Sequence, residues 1–502
     1  MLFLALQSFP PPARADVTLN PYGKSVLLPL HGSIKGGQSY IWGDAISQIV
    51  VIMKATGQFV WQVNAPTTGQ YFVDVLQAVP ASGNGFTVAV TAENQPTIEY
   101  TLEQTRGYLI PGREAEDGNQ RFERKRLAEP VWLSAGSHWL VLETKNVPDG
   151  TFAMALRGIE LTPVEAESAV MSQQEQAAVG RADLTWMRDA VYGGMFHYTS
   201  QSVDREGSNL SFADMVASFD VERFADQAQD MDLGYVLFTM GHAYPFIPAP
   251  LESWAAIHGS DHTTERDLVM ELADALSERN IRFLAYFPTH VISKAIVHSG
   301  DTSRWNDAID ITKLSTNLDE ILSEFGAHYG AKVSGYWLDG WYQLAERYPD
   351  FNYIELRSIM RMGNPDRATA LNSWVLPTIT EWQDYYAGEV FSISDVPDTS
   401  IVDYGPAKDL PMHFLIAMED DWVMTSNRKA TVLDRQALVD YVRKCQTAGI
   451  PVTINLLLFA DGSLLQNSVG NMVYLNAAIE RSRVVPNIGG AAGRIGETDK
   501  RD

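Results

Sequence analysis

The chain of 502 residues carries one cysteine, Cys445, so no disulfide can form within it. That cysteine lies in a helical pattern, VDYVRKCQTAG, and reads as a small packed side chain with no zinc ribbon and no partnered thiol nucleophile around it. Basic residues are also scarce: 38 Lys and Arg stand against 62 Asp and Glu, a formal charge of −24. Such a surface repels phosphate backbones and anionic membranes, which excludes nucleic acid as an expected partner and disfavours a heavily sulfated polymer. No stretch is long and apolar enough to span a bilayer, so no membrane insertion is expected. A phosphate-cradling glycine loop, an HExxH motif and internal repeats are missing too, and no cofactor or metal is expected.

What is present is a globular composition, 45% hydrophobic and 20% charged, in a chain too long for one ordinary core. The N-terminus, MLFLALQSFPPPARADVTLN, has a short apolar run before Ala13-Arg14-Ala15, a small-x-small cleavage pattern without a basic n-region. It reads as a truncated signal peptide over 1–15, which implies an exported protein, periplasmic or secreted. From 16 to 163, short runs of alternating apolar and polar residues separated by Gly, Pro, Asn and Asp predict an all-β sandwich. GQFVWQVNAPTTGQYFVDVLQAV and PVWLSAGSHWLVLETKN each read as strand, tight turn, strand, the second as a hairpin over Trp132–Leu140 resembling those of carbohydrate-binding modules. Exposed Trp42, Trp61 or Tyr108 would serve a sugar-binding role there, with core packing as the plainer reading. A polar, Ala- and Gln-rich stretch, 164–184, reads as a helical linker. The last residues, 483–502, read as a loose tail.

From 185 to 482 the texture becomes strand alternating with helix. Strands are expected near Tyr192–Tyr198, Gly234–Met240, Ile281–Phe287, Val333–Leu338, Ala368–Trp374, Glu389–Ile393, Met412–Met418 and Pro451–Leu458, with amphipathic helical patterns between most of them. Eight such units predict a (β/α)8 TIM-like barrel, an α/β fold; a doubly wound open sheet shares the local texture. Catalytic groups of a barrel gather at the C-terminal ends of its strands. There KVSGYWLDGW presents Asp339 between Trp337 and Trp341, the arrangement of carboxylate and flat rings that a sugar-cleaving pocket needs. Other strand ends offer His197 and Tyr198, His242 and Tyr244, Glu389, and a group of His413, Glu419, Asp420 and Trp422. Histidines exchange hydrogen bonds with sugar hydroxyls while rings cover the apolar face of a pyranose. Two histidines and Asp339 could instead hold zinc or iron, although none of the three stands at the close helical spacing of zinc hydrolases.

With these residues in view, the stretch from Trp186 to about Asn476 resembles glycoside hydrolase family 29, the α-L-fucosidases, its segments arriving in the family's order. WMRDAVYGGMFHYTSQS is similar to the opening strand, whose His-Trp-Gly corresponds to His197, Tyr198 and Thr199. LFTMGHAYPF resembles the Lys-His-His-Asp-Gly-Phe run of the second unit but keeps only His242 and Phe246, with Gly241, Ala243 and Tyr244 in place of lysine, the second histidine and aspartate. GYWLDGW resembles the strand of the nucleophile, and GIPVTINLLLFADGSL the closing strand. The resemblance implies hydrolysis of a terminal α-linked L-fucose or similar sugar by retaining double displacement. Asp339 is then the nucleophile and His413 or a glutamate, Glu389 or Glu419, the acid/base, with His197, Tyr198, His242, Tyr244, Trp337, Trp341 and Trp422 binding substrate. An endo-acting hydrolase of a fucose-containing polysaccharide and an inactive glycan-binding barrel are the alternatives. The expected partner in each case is an oligosaccharide or polysaccharide.

Overall fold

A computed structural model describes residues 17–36, 40–42, 50–105, 122–292, 311–341, 351–372, 380–389, 393, 396, 400–402, 409–425 and 430–479. The signal-like segment, Tyr108 and the tail lie outside these residues, and of Trp42 only the backbone is described.

Residues 17–163 form two largely antiparallel sheets, of six and seven strands. The alternation in the sequence explains them. In Gly57–Ala65 the side chains of Phe59, Trp61 and Val63 are buried while Gln58, Gln62 and Asn64 point outward. One core lies between the sheets, where Phe59, Trp61 and Val63 from one meet Val73, Val75, Ile159 and Leu161 from the other. The hairpin expected over Trp132–Leu140 is corrected by the pairing. Val131–Leu133 joins Gly69–Tyr71 in the seven-stranded sheet, whereas Gly136–Lys145 joins Gly57–Ala65 in the six-stranded one. The turn therefore arches from one sheet to the other, with Gly136 at φ 118°, a value that favours glycine. Gly57–Ala65 and Gly69–Ala78 are split between the two sheets in the same way. Trp61 is fully buried and donates its indole N–H to the Leu28 carbonyl at 3.0 Å, so it belongs to the core.

The helix Glu167–Val179 falls in the expected linker. Its end is pinned: Arg357 donates to the Ala177 carbonyl at 3.0 Å, Arg361 to the Gly180 carbonyl at 2.6 Å, and Ala182 N to Asp384 at 2.9 Å.

Among the described residues, seven parallel strands follow: β1 (Tyr192–Phe196), β2 (Tyr235–Thr239), β3 (Arg282–Pro288), β4 (Val333–Asp339), β5 (Ala368–Leu371), β6 (Phe414–Ala417) and β7 (Val452–Asn455). Their residues are buried on both faces, as parallel strands covered by helices require. Phe196, Val236, Phe238, Phe283, Tyr336 and Leu338 face the helices. Met195, Leu237, Leu284, Tyr286, Trp337 and Leu415 form a separate inner cluster on the concave side. The strand order is β5-β4-β3-β2-β1-β7-β6, sequential neighbours throughout except where the first strand meets the last. A doubly wound sheet reverses direction near its middle; this one curls. Helices α1 (Val221–Asp230), α2 (Leu268–Glu278) and α3 (Arg435–Ala448) are each started by an aspartate, Asp220, Asp267 and Asp434, that accepts backbone N–H groups of the first turn.

Of the strand expected at Glu389–Ile393, residues 390–392 lie outside the described residues. Residues 384–389 run between β5 and β6, held by Asp384 N to the Thr369 carbonyl at 2.9 Å and by parallel bridges Tyr386 to Met412 and Glu389 to Leu415.

Candidate active site

Side chains alternate along a strand, so Gly335, Trp337 and Asp339 of β4 share the concave face, with Asp339 uppermost at the C-terminal end. Gly340 then turns the chain at φ 75°. The Asp339 carboxylate accepts from the Tyr286 hydroxyl of β3 at 2.5 Å and from Asn372 Nδ2, just past β5, at 2.7 Å. The same Nδ2 donates to Glu389 Oε2 at 2.8 Å. One amide nitrogen thus joins two carboxylates from separate parts of the sheet.

Their environments differ. Burial first, and then the neighbouring Asp339 charge, push the Glu389 carboxyl up to about 7, against the Asn372 bond that favours its ionised form. A group so poised holds a proton near neutrality and can release it. Asp339 is gripped by two donors, the Tyr286 hydroxyl and the Asn372 amide.

The histidines complete the concave end. His197 follows β1 and shares a 2.7 Å hydrogen bond, through Nδ1, with Asn455 Oδ1. Asn455 Nδ2 donates to the Trp422 carbonyl at 3.3 Å, so its oxygen faces the ring and the neutral imidazole is protonated on Nδ1. Nε2 is left as an acceptor. Burial, and secondarily His242, push His197 down to about 3, which keeps it uncharged. His242, beyond β2, lies edge-on to it at 5.1 Å and is lowered by burial, opposed by Asp339. The rings of Tyr286 and Trp422 stand 5.6 and 5.7 Å from His197. His197, His242, Trp422, Asp339 and Glu389 are therefore drawn to one end of the sheet.

Other expected residues are not. His413 precedes β6, at the opposite end of the strands from Asp339, and only 1% of it is exposed. Its Nδ1 bonds the Ala387 carbonyl and its Nε2 the Thr453 hydroxyl, both at 2.7 Å, and Trp337 and Tyr385 pack edge-on against the ring. Both its nitrogens are engaged, and burial pushes it down to about 4, which holds it neutral in the interior. Trp337 lies one layer below Asp339 and is buried. Trp341 points outward into the helix-side core, its indole N–H donating to the Tyr353 hydroxyl at 3.3 Å. Tyr198 does likewise among Phe212, Phe219 and Phe238, its hydroxyl donating to the Ala460 carbonyl at 3.2 Å. Tyr244 is half-buried in the turn after β2. Glu419 is buried and committed to Leu457 N and the Ser468 hydroxyl. Among the described residues, no group of three His, Cys, Asp or Glu is arranged to hold a metal ion.

Sequence reasoning missed Tyr286, Asn372 and Asn455. The signal that could have found the two asparagines is a polar residue closing an apolar strand, in ATALN and VTIN; Tyr286 inside RFLAYFP offers none.

No protein-family model matches the chain, and no curated protein does. Among solved structures, a GH29 α-L-fucosidase from Bacteroides thetaiotaomicron is similar with a TM-score of 0.45 and 15% identity, over 59% of this chain and 73% of its own. α-L-Fucosidase isoenzyme 1 from Paenibacillus thiaminolyticus gives 0.46 and 16%, over 61% and 75%. α-L-Fucosidase AlfC from Lactobacillus casei, in complex with α-L-fucose, gives 0.42 and 16%, over 59% and 97%. Likenesses this distant carry nothing about the chemistry of this chain.

Proposed function

We propose that the protein is an exported glycoside hydrolase of α-L-fucosidase type that works by retaining double displacement on a barrel closed by the 384–389 segment. Asp339 is the nucleophile and Glu389 the acid/base. In the first step an Asp339 oxygen bonds the anomeric carbon as the bond to the leaving oxygen breaks, and Glu389 gives that oxygen its proton. In the second, water attacks the same carbon, Glu389 takes its proton and the Asp339 ester is released. His197, His242 and Trp422 bind the sugar, and Tyr286 steadies the nucleophile. Residues 16–163 form an accessory sandwich joined through 164–184 to the catalytic unit.

The observation that carries this reading is the amide shared by the two carboxyls, at 2.7 and 2.8 Å. Both oxygens lie within hydrogen-bond reach of one nitrogen, so they stand no more than about 5.5 Å apart. Retaining enzymes hold their carboxyls about 5–5.5 Å apart, whereas inverting ones leave about 6.5 Å or more for a water. Fucose as the sugar rests on the ordered resemblance of the sequence motifs.

The test is hydrolysis of 4-nitrophenyl α-L-fucoside beside other aryl glycosides, with the first-formed anomer read by NMR. Cleavage of the fucoside to the α-anomer, lost by at least about 10³-fold in Asp339→Ala, is expected. First release of the β-anomer, or full activity in Asp339→Ala, rejects the mechanism. Endo action on a polysaccharide is favoured by a second feature at this face. A cavity of about 650 Å³ opens among the loops after β1, β6 and β7, with Phe459, Thr425, Gln466 and Asn467 on its walls. Cleavage of polymer without cleavage of the aryl fucoside would select that alternative.

A further inference from the structure

We propose that Asn372 is a positioning residue whose one amide nitrogen fixes the separation of Asp339 and Glu389 and favours the ionised form of Glu389. The proposal rests on the reading of those two carboxyls as the reacting pair. Its ground is geometric. Asn372 grips β4 on both sides of Asp339 through its backbone: its N–H donates to the Leu338 carbonyl at 2.8 Å, and its carbonyl accepts from Trp341 N at 3.1 Å. The side chain is then held with 1% exposure and its two N–H bonds divide between the carboxyls. Nothing in the β4 backbone alone would hold Glu389, which arrives on the 384–389 segment, at a fixed distance from Asp339.

A donor to a carboxylate favours its charged form. Removing this one therefore raises the proton affinity of Glu389. Among the described residues, the Tyr286 hydroxyl from β3 and the rings of His242 and His197 beyond β2 and β1 also face the pair; they bear on Asp339. Burial and the Asp339 charge are what act on Glu389 besides the amide.

The test is the pH profile of kcat/KM for wild type, Asn372→Ala and Asn372→Asp on the fucoside. In the basic limb Glu389 must keep its proton. In Asn372→Ala that limb moves alkaline by about one unit, with kcat falling about tenfold to a hundredfold. Asn372→Asp has the same shape with an added carboxyl that, when ionised, has no hydrogen to donate, and shifts the basic limb further. A fall in kcat with the basic limb unmoved, or moved to lower pH, overturns the proposal. Should Asn372→Ala fail to fold, the isosteric Asn372→Asp carries the test. If wild type cleaves no glycoside, the functional reading fails separately, and the effect on Glu389 is read by ¹³C NMR titration of the Glu side-chain carboxyls. The Glu389 signal is identified by its loss in Glu389→Gln, and an unchanged midpoint in Asn372→Ala then overturns the proposal as well.

Discussion

Glu389 shows how one side chain's surroundings set both its chemistry and its cost to the fold. Its carboxyl is pushed up to about 7 in the folded chain, above the usual carboxylate value. The folded state therefore holds this proton more tightly than the unfolded one. The contribution to stability is complete at pH below about 4.5 and is lost as pH rises through 7. Replacing it with glutamine removes the cost of ionising a buried group beside Asp339. Glu389→Gln is expected to melt above wild type at pH 8, by the equivalent of about 1–3 kcal/mol, and to converge with it toward pH 4.5. Calorimetry across that range checks this, and a gap that does not narrow on acidification would show that burial is not the cause. The buried histidines act in the opposite sense. His197 and His413 are held neutral, pushed down to about 3 and 4, so their contribution is present above the unfolded value near 6.5 and lost as pH falls toward the folded ones.

At the scale of elements, the 384–389 segment is the piece that brings an acid to Asp339. It is short, lacks a full ladder of its own, and is propped by its neighbour. The His413 ring bonds the Ala387 carbonyl, Leu415 N donates to the Gly388 carbonyl at 3.0 Å, and Gly388 itself stands at φ 63°. A Cβ on Gly388 would come within 1.8 Å of the His413 carbonyl oxygen, and that oxygen belongs to the backbone entering β6. Gly388→Ala must therefore push the segment away from β6. An activity loss of about a hundredfold or more is expected, with destabilisation of about 1–3 kcal/mol from strain and lost bridging. Measured kcat and Tm test this, and an active, equally stable variant would show that the segment does not govern the position of Glu389. His413 supports the segment through its bond to the Ala387 carbonyl.

At the scale of the molecule, a net charge of −24 over 502 residues gives the protein a field that repels anions. A neutral oligosaccharide meets no such barrier. For a sulfated substrate the expected outcome is a KM that falls as ionic strength rises from about 0.01 to 0.15 M, where the screening length shortens from roughly 30 to 8 Å. For an uncharged aryl fucoside KM should stay flat. Steady-state kinetics over a salt series measures both, and a sulfated substrate whose KM rises with salt would reveal a local basic site outweighing the overall charge.

Much of this was legible in the sequence, because periodicity is a local property. Strand-helix alternation pointed to eight strands, of which seven pair in parallel among the described residues, and Asp339 stood out as an acid ending an apolar run; both depend on neighbours a few residues away. Pairing partners and layers do not. Two strand-turn-strand patterns that look like hairpins arch between sheets, because burial of both inner faces decided the pairing. At the level of motif His413 was the first candidate and Glu389 an alternative, 24 positions apart in the chain. The offset of the 384–389 segment against β6 put one at the site and the other among buried rings. Tyr286 and Asn372 were silent for the same reason: a tyrosine in an apolar strand and an asparagine at a strand end become ligands of a carboxylate only when β3, β4 and β5 lie side by side. The sequence by itself determined which segments would be strands and which acid would crown one of them, since those follow from local alternation and solvation. Only the tertiary structure decided which second carboxyl meets it, because that rests on contacts between segments far apart along the chain.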